Sequence, residues 1–499
     1  MAQTTRRLSV SAASLAVVLA PLGLVTLMAR TGSVGVPPPA PVAPVPSPRQ
    51  LQWHDLEFYG FVHVGINTFT DREWGAGDED AALFAPTALD ARQWVRVARD
   101  AGMRGLIITA KHHDGFCLWP SRHTAHSVAR SPWQGGKGDV VGALARACRE
   151  AGLAFGVYLS PWDRHHPDYG RPAYLTYYRS QLRELLTRYG PVFEVWFDGA
   201  NGGDGYYGGA RETRRIDGAT YYEWPATWDL VRALQPGAVM FSDAGPDVRW
   251  VGNEKGVAFE SVWYGLDRTG LYPGRPDYAE EFAIGRVDAP DWVPPEVDVS
   301  IRPGWFHHPA EDGRVKSVDE LIDIYDASVG RGTNLLLNVP PDRRGLIHEV
   351  DASRLREFRR RLDATYRTNL TRGARATATN VRGSDPRFDP TRLMDDDPST
   401  YWATDDDVTT GSAEVTLAAP VTFDRIVLEE PIALGQRVEA WRIDVRIDDA
   451  WRPFAEGTSI GRRRIARGPL VTASAVRVTI TKARACPALS RLGVYRSAR

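Results

Sequence analysis

The residue types that could do chemistry gather at the ends of apolar runs. Val195-Trp196-Phe197 closes on Asp198-Gly199. Val, Trp and Phe suit a covered strand, and Gly199 lets the chain turn away. A carboxylate at that point has apolar walls behind it and a loop in front. Other runs close on His63, on Lys111-His112-His113-Asp114, on Tyr158-Leu159-Ser160-Pro161-Trp162-Asp163 and on Ser242-Asp243, with Arg249-Trp250-Val251-Gly252-Asn253-Glu254 shortly after. Two chemistries fit such a set. One is metal hydrolysis, with His63, His112, His113, His165, His166 and Asp198 as ligands. Against it, the first run has no His-x-His and no His-Glu-x-x-His helix is present. The neighbours His112 and His113 would also point to opposite faces of a regular strand. The other is glycoside hydrolysis by two carboxylates, which stand about 5–5.5 Å apart in a retaining enzyme. Asp198, short and on a strand, suits the nucleophile. Glu254, longer and on a loop, suits the acid/base, with its pKa raised by apolar neighbours and a nearby carboxylate. Asp243, Glu260 and Glu296 are rival acids, and Asp163 and Asp247 also lie near strand ends. The His residues would then hydrogen-bond sugar hydroxyls, with Trp74, Trp196 or Trp305 as stacking surfaces.

Such residues need a scaffold that brings strand ends together. From Trp53 to about Leu370, eight strand-like runs occur, at 58–65, 106–112, 154–160, 193–198, 238–242, 259–263, 297–301 and 334–339. Amphipathic stretches lie between most of them, at 91–101, 140–151, 174–189, 226–234 and 318–330, and 351–361 reads as the last helix. Short strands alternating with helices predict a parallel sheet. Eight of them predict a (β/α)₈ barrel, a TIM-like fold of ~250 residues before insertions, whose chemistry sits at the C-terminal strand ends. The 264–296 region reads as long loops over one barrel end. The Gly- and Tyr-rich insertion 201–223 reads as a lid or subsite wall. From 372 onward, helical periodicity gives way to short alternating runs at 413–417, 425–428, 441–447 and 475–480, which predict an all-β sandwich.

Composition narrows the class. The net charge of −1 offers no global field for nucleic acid or an anionic membrane. Sixteen Trp and eighteen Tyr give many flat rings with a polar edge, a weak pointer to carbohydrate. The three Cys (117, 148 and 486) fit no zinc spacing and read as buried thiols. Residues 1–30 read as an export signal: Arg6-Arg7 precedes an apolar run too short for a comfortable membrane span. Arg6-Arg7-Leu8-Ser9-Val10 resembles a twin-arginine signal; no clear Ala-x-Ala site is visible, so the general secretory route and an uncleaved anchor stay open beside the expected secreted bacterial protein with no membrane contact after processing. The Pro-rich 31–50 tract reads as a spacer. The resulting domain plan is 1–30 signal, 31–50 linker, 51–370 barrel and 371–499 sandwich. Two further motifs lack support. Gly457-Thr458-Ser459-Ile460-Gly461 fits a nucleophile elbow but has no strand–turn–helix around it. Asn369-Leu370-Thr371 fits a glycosylation acceptor, which carries little meaning in a bacterial chain.

Several blocks together carry a resemblance. Gly60-Phe61-Val62-His63-Val64-Gly65, Glu73-Trp74-Gly75, Lys111-His112-His113-Asp114-Gly115-Phe116, Tyr158-Leu159-Ser160-Pro161-Trp162 and Trp196-Phe197-Asp198-Gly199 resemble, in order and spacing, the α-L-fucosidases of glycoside hydrolase family 29. The resemblance spans residues 53–370. It implies a retaining exo-enzyme that removes terminal L-fucose from fucosylated oligosaccharides or glycoconjugates, with no cofactor or metal in catalysis. It places the nucleophile on Asp198 and fucose binding on His63, Glu73, Trp74, His112, His113, Tyr158 and Trp196. The Phe241-to-Glu254 segment resembles the subgroup specific for α-1,3/1,4-linked fucose of Lewis-type glycans, which makes Glu254 the acid/base and brings in Arg249. Arg302-Pro303-Gly304-Trp305-Phe306 is similar to that subgroup too and adds Trp305 to the sugar site. Residues 372–499 resemble a discoidin-like carbohydrate-binding module of family 32, on Asn380, the 395–403 segment and Leu492-Gly493-Val494-Tyr495. Such modules often hold a structural calcium ion, for which the carboxylates of Asp395, Asp396 and Asp397 are the candidates. The non-enzymatic alternative is a fucose-binding lectin on a dead barrel; the presence of both carboxylates argues against it.

Overall fold

A computed structural model describes residues 35–498; residues 1–30, read above as an export signal, lie outside the described residues. Eight parallel strands close into a barrel. In chain order they are Phe58–Val62, Gly105–Lys111, Ala154–Leu159, Glu194–Trp196, Val239–Ser242, Val248–Trp250, Pro295–Ser300 and Asn334–Asn338. The last pairs with the first, Phe58 opposite Leu335. Side chains alternate between the two faces of each strand. Tyr59, Phe61, Ile107, Tyr158, Trp196, Val239, Phe241, Val248 and Leu336 therefore point inward and pack into one filled interior. The outward residues pack under the helices Ala91–Asp100, Val140–Ala151, Pro172–Arg188, Trp224–Leu234, Val318–Ala327 and Glu349–Tyr366. Burial of each large ring contributes on the order of 2–3 kcal/mol.

Local chemistry sets the helix ends. The Val140–Ala151 helix starts where the Asp139 carboxylate accepts the Gly142 N–H and stops at Gly152, whose φ is +72°. The Val318–Ala327 helix opens with a reciprocal Ser317–Glu320 capping box.

Seven of the eight strands fall where the sequence predicts them; the sixth does not. The 259–263 run is irregular, and the sixth strand is Val248–Trp250. Residues 243–247 alone join strands five and six, with no helix between them. The strand–helix rhythm breaks there, and an Arg in the middle of a three-residue strand hides it. The 259–263 segment instead crosses the end of the barrel where the strands begin.

The C-terminal residues form an antiparallel sandwich. Its main sheet contains Arg375–Ala378, Gly411–Glu429, Arg464–Ala483, Val438–Ile447 and Ala450–Gly457, with Arg491–Tyr495 added to the second of these. It sits against the strand-start end of the barrel. Arg463 pairs with Glu57 and Glu429, and Arg462 with Asp55. The Gln436 side-chain amide bonds both Tyr264 N–H and Val262 carbonyl, and Ile465 N–H donates to Gly330 carbonyl. Part of the Pro-rich tract is not a free spacer: Val42 N–H donates to Leu434 carbonyl, Arg437 donates to Ala40 carbonyl, and Pro39, Pro44 and Pro46 are buried. Ser459 of the elbow-like motif is buried and accepts the Val262 N–H. Asn369 is buried as well, its carbonyl oxygen accepting the Val494 N–H. The three cysteines are free and buried.

The 395–397 carboxylates face separate partners. Asp395 accepts from Thr400, Asp396 pairs with Arg491 and Asp397 accepts from Ser399.

Candidate active site

The site lies at the strand-end mouth of the barrel, on the filled interior. Trp196 forms its floor. Its ring stacks on Phe241 at 4.2 Å, and its Nε1–H donates to buried Glu296 at 2.9 Å. Glu296 also accepts from Tyr59 and lies beside Glu194. Burial raises the pKa of Glu296 to about 7, so this cation-free pair of carboxyls holds a proton between them at neutral pH.

Asp198 stands two residues past the end of strand four. Its Oδ2 accepts from Tyr158 Oη at 2.9 Å and lies 3.8 Å from His113 Nε2. Its Oδ1 accepts the Ala200 N–H at 2.7 Å. Gly199 must lack a side chain, because a β-carbon there would fall 2.2 Å from the Asp243 carboxylate.

Three histidines crown the first two strands. His112 and His113 lie past the regular end of strand two, so the expected opposition of their side chains fails: their rings are 4.1 Å apart and both join the site. His63 Nδ1 bonds Asn338 Oδ1 at 2.9 Å, which leaves Nε2 as its acceptor. His113 Nδ1 bonds Ser160 Oγ at 2.7 Å, and that hydroxyl donates onward to Trp162 carbonyl. Burial lowers the His63 pKa to about 3 and holds His112 and His113 below the usual value too, the Asp198 charge opposing it at His113. All three are therefore neutral at pH 7, suited to accept hydrogen bonds from hydroxyls rather than to bind an anion.

Trp74 is 52% exposed and stands edge-on to His113 and Trp162. Glu73 beside it accepts the backbone N–H groups of Trp305 and Phe306 and contacts His308 Nε2 at 2.6 Å. Trp305, 5.1 Å from the His63 ring, donates its indole N–H to Glu254 Oε2 at 3.2 Å. Burial raises the Glu254 pKa, and the charges of Asp198 and Glu73 add to that; the Trp305 N–H opposes them. The insertion forms a short hairpin, Gly203–Gly205 with Glu212–Arg214, and Tyr207 from it accepts the Trp162 N–H at 3.0 Å. It thus walls the mouth beside Trp74.

The structure thus brings together His63, Glu73, Trp74, His112, His113, Tyr158, Trp196, Asp198, Glu254 and Trp305. It leaves Arg249 out. Arg249 sits between inward-facing Val248 and Trp250, so it points outward. It is buried and donates to the carbonyls of Val293, Trp263 and Ala283. Among the rival acids, Glu260 is exposed at the opposite end and pairs with Arg331. Glu296 is sealed under Trp196. Asp163 is held by Lys111, and Asp247 by Arg49 and Arg232. Asp243 alone stays beside Asp198; burial raises its pKa to about 6, and its Oδ2 accepts the Gly274 N–H. Of the metal-hydrolysis set, His165 turns to Gly77 carbonyl, and His166 Nδ1 accepts the Asp168 N–H. Sequence reasoning missed the supports Asn338, Ser160, His308 and the Trp250–Asp298 pair, whose bond is 2.8 Å. Ser160 and Asn338 are polar residues at strand ends, and that position was their available signal.

Known proteins resemble this chain over most of its length. The family model described as Alpha-L-fucosidase matches residues 66–364, and the F5/8 type C domain matches residues 375–492. The chain is 42% identical over 476 residues to Alpha-L-fucosidase 1 of Arabidopsis thaliana, covering 94% of this chain and 90% of the relative. It resembles the crystal structure of a glycoside hydrolase 29 family member from an unknown rumen bacterium, at TM-score 0.82 and 45% identity, over 92% of this chain and 78% of that one. It also resembles a Ruminococcus gnavus GH29 fucosidase in complex with fucose, at TM-score 0.84 and 32% identity, over 93% and 97% of the two chains.

Proposed function

The chain belongs to the alpha-L-fucosidase family of glycoside hydrolases, and from that membership we propose a retaining reaction on terminal α-1,3/1,4-linked L-fucose, carried by Asp198 and Glu254. One observation supports this most: two carboxylates of different character face one mouth. Asp198, fixed by Tyr158 and the Ala200 N–H at a strand end, is the nucleophile. Glu254, on a loop with a raised pKa, is the acid/base. Asp198 attacks the anomeric carbon as Glu254 gives its proton to the departing glycan oxygen. Glu254 then takes a proton from the water that breaks the fucosyl–Asp198 bond. The neutral histidines receive sugar hydroxyls, and Trp74 and Trp305 flank the ring. No metal enters this sequence. The chain's partners are then fucosylated glycans, met outside the cell after export through the Arg6-Arg7 signal.

The experiment compares free fucose released from a Lewis-type trisaccharide and from an aryl α-L-fucoside. Asp198→Ala loses both activities by more than about a thousandfold. Glu254→Ala loses far more on the trisaccharide than on the aryl substrate, whose leaving group needs no proton, and azide restores turnover. Equal losses on both substrates would remove Glu254 from the acid role and move attention to Asp243. Faster release from the aryl fucoside than from the trisaccharide in the unaltered enzyme would remove the linkage assignment and leave the reaction class standing.

A further inference from the structure

Next to the sugar site, on the outward side of the same segment, is a second cluster of groups that the reaction does not use. Residues 302–312 follow strand seven. His308 reaches inward to Glu73. Its neighbour His307 turns the other way, toward the start of the Glu349–Tyr366 helix. There the His307 ring lies 5.6 Å from that of His348. The Asp312 carboxylate stands between them, with Oδ1 3.2 Å from His307 Nε2 and Oδ2 3.7 Å from His348 Nε2. The ligand atoms of the three residues lie within 4.8 Å of one another, the one such group of three among the described residues. They face a cleft of about 250 Å³ that opens to solvent.

Two features distinguish this cluster from an ordinary surface ion pair. His307 is 3% exposed, yet neither ring nitrogen makes a hydrogen bond, the 3.2 Å approach of Asp312 Oδ1 to Nε2 being an ionic contact without hydrogen-bond geometry. A buried polar group left that way costs on the order of 1–3 kcal/mol, so a missing partner is the economical explanation. The spacing also suits a small ion. Ligand atoms about 2.0–2.2 Å from a tetrahedral zinc lie roughly 3.3–3.6 Å apart; Asp312 Oδ2 is 3.7 Å from His348 Nε2, and the ligand atoms of all three residues stand within 4.8 Å of one another, close to that spacing.

We propose that His307, Asp312 and His348 bind one divalent first-row transition ion, zinc being the best fit, with the fourth position open to water. Two imidazoles and one carboxylate exclude magnesium and calcium, which prefer all-oxygen shells. Arg302 is the nearest cation and bonds Asp312 Oδ1 at 2.8 Å. Buried Asp351 neutralises it from its other side at 2.9 Å, and Asp312 Oδ2 stays available. Binding through His348 Nε2 requires its Nδ1 to carry the proton, so it exchanges the 3.4 Å contact from Val350 N–H for the metal bond. The ion would tie the segment that presents Trp305 to the last barrel helix. It is a structural clamp outside the reacting centre.

The test uses the full-length protein, freed of purification tag and treated with chelator. Zinc is titrated by calorimetry, cobalt by its visible spectrum, and melting temperature is followed with and without zinc. One ion per chain is expected, with a tetrahedral cobalt spectrum and a higher melting temperature on loading. His348→Ala changes a partly exposed residue, and His307→Asn a buried one; each lowers affinity by at least about tenfold and abolishes the zinc-dependent rise in melting temperature. If no stoichiometric binding occurs, the proposal fails. It also fails if zinc binds equally well to both variants, which would put the ion elsewhere on the chain. None of these readouts depends on fucose release, so the outcome stands apart from that of the proposed reaction.

Discussion

A single N–H holds the acid of the pair in check. Glu254 is pushed up by burial and by the charges of Asp198 and Glu73, and the Trp305 indole is the group that restrains it. The indole stabilises the charged form, so Trp305→Phe raises the Glu254 pKa further. An acid must be protonated to act, so kcat/KM for a glycan falls as pH rises through that pKa. In Trp305→Phe this alkaline limb moves to higher pH, read from the pH profile of kcat/KM on the trisaccharide; a limb that moves to lower pH would contradict the assignment. Much of this residue-scale picture was legible in the sequence, because reactive groups sat beside apolar runs that ended abruptly. Arg249 was not. Its neighbours Trp250 and Glu254 belong to the mouth, but alternation on a three-residue strand sends it outward. Proximity in sequence says nothing about the face until the strand is placed.

At the scale of elements, the His112-His113 corner depends on a buried ion pair. Lys111 Nζ is 2.9 Å from Asp163 Oδ2, both side chains fully buried, and the rings of Tyr174, Tyr177 and Tyr178 lie within 5.7 Å of it. Asp163 Oδ1 in turn accepts the backbone N–H groups of His165 and His166. Lys111→Met leaves Asp163 charged in an apolar setting, at a cost of about 3–5 kcal/mol. Urea unfolding will show it, and Lys111→Met with Asp163→Asn recovers part of the loss. An unaltered midpoint in the single variant would mean the pair is dispensable. The barrel itself was readable because alternation of strand and amphipathic helix repeats along the chain. It failed at strand six, where a direct turn replaces the helix. It was blind also to the supports of the site. Asn338 serves His63 and Trp305 from a strand whose own run, Leu335-Leu336-Leu337, signals only burial.

For the whole molecule, the sandwich is part of the barrel's support. Arg463 bridges Glu57 and Glu429, and Gln436 satisfies the backbone of the 262–264 segment. The two domains therefore unfold together: calorimetry of the full chain gives one cooperative transition, and Arg463→Ala lowers its midpoint. Two well-separated transitions would show the domains to be energetically independent.

The placement of the sandwich has a consequence for traffic. The barrel bore is packed with apolar side chains from Tyr59 to Leu336, and the end away from the sugar site is covered. The sugar site therefore opens through the door at the other end. On the proposed two-step route, the defucosylated glycan must clear that door before anything can reach the sugar left on Asp198. Whatever then stands in the doorway takes the fucose. Water frees it; the hydroxyl of another glycan, lodged on half-exposed Trp74 and the hairpin beside it, would inherit it. Occupancy of the threshold, more than the carboxylates, then decides between cutting fucose away and handing it on.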